Sequence, residues 1–181
     1  MNITGGKYNS RKIKTPDFDN IKPTLSKTRQ GIFNALSTMI DFEGRIFLDM
    51  FSGSGIMSLE ALSRGFRVIS FEKDKKTALA IKSNFNSLGL VPNLYFGDAL
   101  KNILKLNVKP DVIFLDPPYD SDLYEQSLNI IRNNNILATD GIIVMEHSID
   151  KRIKYEGFEL IKAKTYSNKQ ITYIIYTSQA E

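Results

Sequence analysis

The sequence predicts an α/β fold built on a doubly wound, mostly parallel sheet of seven strands. From residue 45 onward, short apolar runs alternate with stretches whose apolar residues recur at three- and four-residue spacing. The short runs are nearly continuous and rich in β-branched or aromatic residues, which is typical of strands buried on both faces of a parallel sheet. Repeated strand–helix alternation implies right-handed crossovers. The length of 181 residues and the 42% hydrophobic content indicate one domain with a single sizeable core.

The bounds of the individual elements follow from the same patterns. Residues 1–14 predict a small Gly-containing hairpin or arm, and residues 25–40 predict a helix with Thr24 or Ser26 as its start signal. The predicted parallel strands cover residues 46–50, 68–72, 94–96, 112–116 and 142–146. The predicted helices between them cover residues 56–64, 75–88 (with Asp74 as its cap and Gly89 as its stop), 99–106 and 123–133. Residues 158–164 and 171–177 leave no room for a helix between them and predict an antiparallel hairpin at the edge of the sheet.

The composition excludes several functional classes. The chain has no Cys, which removes disulfides, thiolate nucleophiles and Cys-ligated metal centres. His147 is the single His, so a site with several His ligands is impossible, and we expect no metal. We interpret His147 as a surface or strand-end residue. No run approaches the roughly 20 apolar residues of a membrane span, and the first residues lack a secretory signal. We therefore expect a soluble, cytoplasmic protein without a membrane partner.

Positive charge is concentrated near the N-terminus. Residues 1–30 hold seven basic and two acidic residues, whereas the other 151 residues hold 17 basic and 18 acidic ones, so the net +4 originates in this segment. A basic segment on a near-neutral body is typical of binding to a phosphate backbone. A solvated arm that lysines keep soluble would have the same composition. The basic residues are Lys7, Arg11, Lys12, Lys14, Lys22, Lys27 and Arg29.

A glycine-containing loop follows the first predicted strand, where residues 49–55 read Asp-Met-Phe-Ser-Gly-Ser-Gly. Gly53 and Gly55 allow a tight turn and a close approach of the backbone to a ligand. Ligands of open α/β sheets bind at the carboxyl ends of the strands. Ser58 stands where the dinucleotide-binding motif Gly-x-Gly-x-x-Gly has its third Gly, so this loop lacks the complete motif for binding a diphosphate. Asp49 would repel a diphosphate but suits an ammonium group.

Two further carboxylates follow predicted strands. Glu72 ends the second strand, where a carboxylate can accept hydrogen bonds from both hydroxyls of a ribose. Asp98 follows the third strand, where it could meet an adenine amino group. Each of these carboxylates could instead cap a helix, Asp98 in particular. Taken together with Asp49 and the Gly-Ser-Gly loop, they point to S-adenosylmethionine as the cofactor.

The tetrapeptide Asp-Pro-Pro-Tyr at residues 116–119 follows the fourth predicted strand. Two prolines make a rigid turn, and Pro-Pro alone would indicate no more than that. An exocyclic amino group of a nucleobase is a poor nucleophile, because its lone pair is delocalised into the ring. The Asp116 carboxylate and the Pro117 carbonyl can bind its two N–H groups, and Tyr119 can stack on the base. Since the methylated ammonium is strongly acidic, methyl transfer here needs no tuned general base.

These motifs resemble the bacterial 16S ribosomal RNA guanine-N(2)-methyltransferase family, RsmD-type, within the Rossmann-like class I methyltransferases. The resemblance covers nearly the whole chain. Its most family-specific blocks are residues 3–6, 10–13, 22–24 and 28–36, and it continues through the segments 49–55, 59–65 and 116–119. The chain has Asn9-Ser10, Lys22 and Gln30 where the family usually has Arg-Gly, Arg and Glu. The missing arginines remove bidentate contacts to phosphate, because Lys offers only a point charge.

The resemblance implies a methyltransferase domain at residues 21–181 behind a basic arm or hairpin at residues 1–20, in one compact unit. It implies methylation of the 2-amino group of a specific guanine of 16S rRNA, within the assembling or assembled small ribosomal subunit. We expect the protein to act as a monomer. The target contacts it implies are Asp116, Pro117, Pro118 and Tyr119. The cofactor contacts it implies are Asp49, Phe51, Ser52, Gly53, Ser54, Gly55, Glu72, Lys73, Asp98 and Ala99. The RNA contacts it implies are Arg11, Lys12, Lys14, Lys22, Lys27 and Arg29.

The residues leave three alternatives open. The same chemistry could act on adenine in DNA or RNA, on another rRNA guanine or on a protein glutamine. DNA adenine enzymes more often carry a sizeable extra recognition domain, for which 181 residues leave no room. A cofactor-free RNA-binding or assembly module would not need Asp49, the two loop glycines or Asp116. A nicotinamide-dependent dehydrogenase is disfavoured by the incomplete diphosphate loop.

Overall fold

A seven-stranded sheet with helices on both faces forms the fold. The computed structural model describes residues 1–14, 25–118 and 122–176. The strand order is β3-β2-β1-β4-β5-β7-β6, in which β1 to β5 are parallel and β7 is antiparallel to both of its neighbours. The strands are β1 Ile46–Asp49, β2 Arg67–Glu72, β3 Leu94–Phe96, β4 Val112–Leu115, β5 Ile142–Ser148, β6 Phe158–Tyr166 and β7 Lys169–Tyr176. This architecture confirms the predicted fold class.

The helices occupy the predicted positions, with differences in extent. They are α1 Ser26–Leu36, α2 Ile56–Ser63, α3 Lys75–Asn86, α4 Ala99–Asn102 and α5 Leu123–Asn133, and a 3₁₀ turn, Ile103–Lys105, follows α4. The helix predicted over residues 99–106 therefore has only one α-helical turn. Helices α2 and α3 end one and two residues earlier than predicted, and α1 and α4 differ more. Helix α1 ends four residues before the predicted boundary, because the hydroxyls of Ser37 and Thr38 bond to carbonyls of the preceding turn. No helix within the three described ranges is long and apolar enough to cross a membrane.

The core lies on both faces of the sheet, and the alternation of strand side chains divides it. Phe47 and Phe114 pack on the face covered by α1, α2 and α3, whereas Leu48 and Leu115 pack on the face covered by α4 and α5. Asp49 has the same alternation phase as Phe47 and therefore lies on the α1–α2 face. The strand order reverses between β1 and β4, so this acidic residue ends a strand beside the topological switch point.

Residues 1–14 fold back on themselves and pack against α1 and α2. They contain a single antiparallel bridge, between Asn2 and Lys12, rather than a ladder of strands. Ile3 and Ile13 are buried in the core, and the amino group of Met1 donates to the Ile13 carbonyl at 3.0 Å. The predicted N-terminal arm is thus a turn held by two apolar anchors.

Candidate active site

Asp49 ends β1 as a buried carboxylate with one unpaired oxygen. Its side chain is 1% exposed. Oδ2 accepts hydrogen bonds from the hydroxyl and the backbone N–H of Ser58, at 2.6 and 3.1 Å. Oδ1 has no partner within the described chain. Burial raises the pKa of Asp49 to about 6, although the Ser58 hydrogen bonds oppose this increase. An unpaired buried acceptor is costly, so this oxygen fits a cationic donor of a ligand.

The loop after Asp49 leaves space for a ligand. Gly53 and Gly55 have φ angles of 50° and 76°, a region that disfavours L side chains. A Cβ added at Gly53 would meet no atom within 4 Å, whereas one at Gly55 would lie 3.1 Å from the Ile81 side chain. Gly53 thus borders open space, and Gly55 permits close packing of α2 on α3. Ser52 donates through its hydroxyl to the Asp49 carbonyl at 3.0 Å, which fixes the start of the loop.

Glu72 connects the end of β2 to this loop. Its Oε2 accepts a hydrogen bond from the Gly53 N–H at 2.9 Å, and its Oε1 accepts one from the Asp74 N–H at 2.8 Å. Burial raises its pKa, and these N–H donors oppose the increase. Each carboxylate oxygen has a second lone pair, so Glu72 can still accept from the hydroxyls of a ribose.

The remaining predicted cofactor residues have varied surroundings. Asp98 is exposed and caps α4, because its Oδ1 accepts a hydrogen bond from the Lys101 N–H at 3.0 Å. This cap is the structural alternative that its position suggested. Phe51 and Ala99 are partly buried against the core of the α4–α5 face, Ser54 is buried and Lys73 is exposed.

The segment after β4 brings Asp116 to the same edge of the sheet as Asp49. In the register of β1 and β4, Asp49 pairs with Phe114, so Asp116 lies two residues further along the neighbouring strand. Asp116 is partly exposed, Pro117 is buried and Pro118 is exposed. Within the described chain the Asp116 carboxylate accepts no hydrogen bond, which leaves it available to a substrate. Tyr119 lies outside the described residues.

Burial raises the pKa of Asp116 to about 8, and nearby charges modify the increase. The carboxylates of Glu146 and Asp49 raise it further, whereas the ammonium of Lys169 lowers it. Glu146 is 2% exposed, and its Oε1 lies 2.9 Å from the Lys169 Nζ. Sequence reasoning missed this pair. The sequence pattern places Glu146 at the end of a predicted strand, and Lys169 lies between the two predicted strands of the hairpin.

The interpretation of His147 as a surface residue is wrong, whereas its placement near a strand end is confirmed. His147 is the second-last residue of β5 and is 6% exposed. Its Nε2 is 2.9 Å from the Thr172 hydroxyl oxygen, and its Nδ1 is 2.9 Å from the Ser148 carbonyl oxygen. Burial lowers its pKa, so the ring is neutral at physiological pH. Both ring nitrogens are thus occupied by structural contacts.

The predicted RNA contacts divide into exposed residues and one buried residue. Arg11, Lys12, Lys14 and Lys27 are exposed, and Lys22 lies outside the described residues. Arg29 is 0% exposed, and its Nε lies 3.0 Å from the carboxylate of Glu60. The prediction that Arg29 contacts RNA was therefore wrong, because a guanidinium enclosed by protein and paired with a carboxylate cannot reach a phosphate.

Asn84 connects the basic arm to the glycine loop. Its Oδ1 accepts from the Lys14 N–H at 3.1 Å, and its Nδ2 donates to the Lys14 carbonyl at 2.8 Å. The same Nδ2 lies 3.4 Å from the Ser54 carbonyl oxygen. The arm is consequently attached beside the loop that follows Asp49. The asparagine lies 70 residues from Lys14, so no local pattern signalled this contact.

Other concave or acidic features lie elsewhere. The described ranges hold no group of three or more His, Asp or Glu side chains arranged to bind a metal ion. A surface cavity of about 500 Å³ is lined by Ser37, Phe42 and Arg64, at the amino ends of the strands. It contains none of the carboxylates described above. The convergence of Asp49, Glu72 and Asp116 at the carboxyl edge therefore marks the candidate site.

Comparisons with known proteins give the family. Residues 1–175 match the family described as conserved hypothetical protein 95. The ribosomal RNA small subunit methyltransferase D of Haemophilus influenzae is 33% identical over 175 residues, which cover 91% of this chain and 88% of the relative. The protein of the same name from Buchnera aphidicola of Acyrthosiphon pisum is 31% identical over 178 residues, which cover 94% and 87%.

Solved structures agree with the fold. The Escherichia coli protein yhhF has a TM-score of 0.85 at 24% identity, with 99% of both chains covered. The Haemophilus influenzae protein HI0767 has a TM-score of 0.77 at 29% identity, with 96% of both chains covered. The resemblance seen in the sequence motifs is confirmed: this chain belongs to the family described as conserved hypothetical protein 95, the RsmD-type family that includes ribosomal RNA small subunit methyltransferase D.

Proposed function

We propose that this protein transfers a methyl group from S-adenosylmethionine to the exocyclic 2-amino group of a guanine in 16S ribosomal RNA. Membership of a family with rRNA methyltransferases supports the coarser activity, methylation of small-subunit rRNA. One observation carries the chemistry: Asp49, which has an unpartnered buried oxygen, ends β1, and Asp116 directly follows the neighbouring strand β4 at the same edge of the sheet. Asp49 fits an ammonium group, and Asp116 fits an amino group.

The residues present fit S-adenosylmethionine. The free Oδ1 of Asp49 would accept from the ammonium of its amino-acid part, and Glu72 would accept from the ribose hydroxyls. Gly53 leaves room beside the loop. Phe51, Ser52, Ser54, Gly55, Lys73, Asp98 and Ala99 complete the proposed contacts. When bound, S-adenosylmethionine supplies an electrophilic methyl group on a sulfonium.

Asp116 would orient the acceptor and make it more nucleophilic. Two hydrogen bonds from the amino group, to the Asp116 carboxylate and the Pro117 carbonyl, favour the pyramidal form with a localised lone pair. That lone pair would form the new N–C bond, the C–S bonding pair would stay on sulfur, and the methylated ammonium would release one proton to water. Pro117 and Pro118 hold the segment rigid, and Tyr119 is proposed to stack on the base.

The exposed residues of the arm fit an RNA partner. Arg11, Lys12 and Lys14 are exposed on a segment attached to the cofactor loop through Asn84, and Lys27 is exposed at the start of α1. Their charge would hold the phosphate backbone beside the site. A guanine splayed out of its stack could then present its amino group to Asp116. We propose 16S rRNA within the small subunit as the partner, and a monomer as the acting form, since one chain supplies every proposed contact.

The experiment that tests this function uses small subunits that lack the modification. They are incubated with the protein and S-adenosylmethionine carrying a labelled methyl group, and the labelled nucleoside is identified by mass spectrometry. The proposed function predicts label on N2 of one guanine of 16S rRNA, with Asp116→Ala as the inactive control. Label on adenine or on protein would favour the alternative acceptors. Absence of label from all rRNA would overturn the proposal.

A further inference from the structure

A row of charged side chains extends from the candidate site along one face of the sheet. Leu115 pairs with Met145 across β4 and β5, so the next residues, Asp116 and Glu146, are also neighbours. Phe114 and Val144, two residues earlier, both pack on the α1–α2 face. Strand alternation therefore directs Asp116 and Glu146 to that same face, about 5 Å apart at the backbone.

Lys169 provides the positive charge of this row. It begins β7, opposite Ser148 in β5, and has the same alternation phase as the core residues Ile171 and Tyr173. Its Nζ lies 2.9 Å from the Glu146 Oε1, and the two side chains are 16% and 3% exposed. The pair is therefore largely shielded from water, where charge interactions are much stronger than on an open surface.

We propose that Lys169 is a positioning residue that acts through Glu146 to favour the ionised form of Asp116, the form that can accept a hydrogen bond from the target amino group. The inference rests on the proposed function, since it gives a role to Asp116 in amine methylation. A protonated Asp116 would present an O–H donor to an amino group that needs acceptors.

The charge balance around Asp116 explains why a cation is needed. The charged groups that act on it within the described chain are Glu146 from β5, Lys169 from β7 and Asp49 from β1. His147 belongs to β5 but is neutral and occupied by Thr172 and Ser148. Two neighbouring carboxylates disfavour a third negative charge, as in other carboxylate pairs that share a proton. Burial and the two carboxylates raise the pKa of Asp116 to about 8, so the protonated form predominates at neutral pH, and Lys169 opposes the increase.

Two single substitutions should move the pH dependence of turnover in opposite directions. Lys169→Met removes the cation, so we expect the acidic limb of the kcat profile to move up by about one pH unit, with an approximately tenfold loss of rate below that limb. Glu146→Gln removes a negative charge and should move the limb down. Lys169→Arg keeps the charge and is the matched control, with a profile close to that of the wild type. The KM for S-adenosylmethionine should stay within about twofold in all three.

A measurement independent of turnover keeps the inference falsifiable. The infrared absorption of the protonated Asp116 carboxyl, assigned by its loss in Asp116→Asn, should titrate at a higher pH in Lys169→Met than in the wild type. Superimposable titrations of the two proteins would overturn the role of Lys169. So would a kcat profile that only scales down without moving. An inactive wild type with a shifted infrared titration would overturn the proposed function while supporting the charge relationship.

Discussion

Arg29 and Glu60 form an ion pair in which both side chains are fully buried, with 3.0 Å between Nε and Oε1. The same carboxylate accepts from the Thr4 N–H and pairs with Arg64, while the Arg29 Nη2 donates to the Asn2 carbonyl at 2.8 Å. One buried network thus joins the arm, α1 and α2. The basic segment is therefore a fixed part of the domain at residues 1–14.

Breaking this pair should destabilise the protein. Arg29→Met leaves the buried Glu60 carboxylate with Arg64 as its cation and removes the donor to the Asn2 carbonyl. Loss of one partner of a buried pair costs up to about 3–5 kcal/mol. The free energy of unfolding, measured by denaturant titration, should fall by that amount. The matched control is Lys27→Met, two residues away and exposed, which should change stability by less than about 0.5 kcal/mol. Equal and small effects of both changes would contradict the assigned role of Arg29.

The free energy of unfolding should depend on pH through the ionisation of Asp49. Its pKa is about 6 in the folded state and near 3.8 when unfolded, so the folded state binds the proton more tightly. Stability from this group is fully present below pH 3.8 and is lost as the pH rises through 6. Asp49→Asn does not titrate, so its unfolding free energy should increase relative to the wild type by up to about 3 kcal/mol between pH 4 and 7. A difference between the two proteins that stays constant over this range would rule out the raised pKa.

Cofactor affinity should have the opposite pH dependence. Only ionised Asp49 attracts an ammonium, so the affinity for S-adenosylmethionine should rise by up to tenfold per pH unit below about 6 and level off above it. Isothermal titration calorimetry at several pH values measures this directly. Asp49→Asn should bind weakly at every pH, and Asp41→Asn, an exposed carboxylate elsewhere, serves as the control. An affinity that does not change between pH 5 and 7 would refute the ammonium contact.

Asp116→Ala should separate catalysis from cofactor binding. The substitution removes an acceptor for the target amine, so turnover should fall by about 100-fold or more, on the scale of a lost transition-state hydrogen bond. Affinity for S-adenosylmethionine should change by less than about threefold, because other residues are proposed to hold it. Stopped-assay kinetics and calorimetry on the same preparation give both values. Equal losses in both would mean that Asp116 supports the structure instead.

The arm should contribute to RNA binding through charge. Replacing Arg11, Lys12 and Lys14 together by Gln should weaken binding to 16S rRNA and lower the slope of log affinity against log salt by about two to three. Filter binding at four salt concentrations measures both quantities. A matched triple change of the exposed Lys75, Lys76 and Lys82 on α3 controls for net charge. An unchanged salt slope in the arm variant would exclude the arm from the interface.

Local signals in the sequence predicted local structure well. Asp74 caps α3 by accepting from the Thr77 N–H, as predicted, because a cap depends on residues three positions apart. The central parallel strands β1, β4 and β5 were recognisable because they are apolar and buried on both faces. The sequence analysis did not predict that the second hairpin strand, β7, pairs with β5 while the first, β6, forms the edge of the sheet. In the structure β7 is largely buried, whereas β6 is exposed with Leu160 and Ile161 on the surface.

Long-range partners account for what sequence reasoning missed at the site. In the sequence, Arg29 cannot be distinguished from the other basic residues of the N-terminal segment, because its partner Glu60 is 31 positions away. Lys169 lies between the two predicted hairpin strands, and its ion pair with Glu146, 23 positions earlier, forms only through the pairing of β5 with β7. The position of Asp49 at a strand end predicted a ligand contact. The sequence did not indicate its hydrogen bond from the Ser58 hydroxyl, because that bond depends on how α2 packs against β1.

The most direct test of the central claim is a crystal structure with S-adenosylhomocysteine bound. The account predicts the ligand amino nitrogen about 3 Å from the Asp49 Oδ1, with the sulfur facing the Asp116 carboxylate across the ends of β1 and β4. A ligand bound away from this edge, or an Asp116 side chain turned into the core and hydrogen-bonded there, would contradict it.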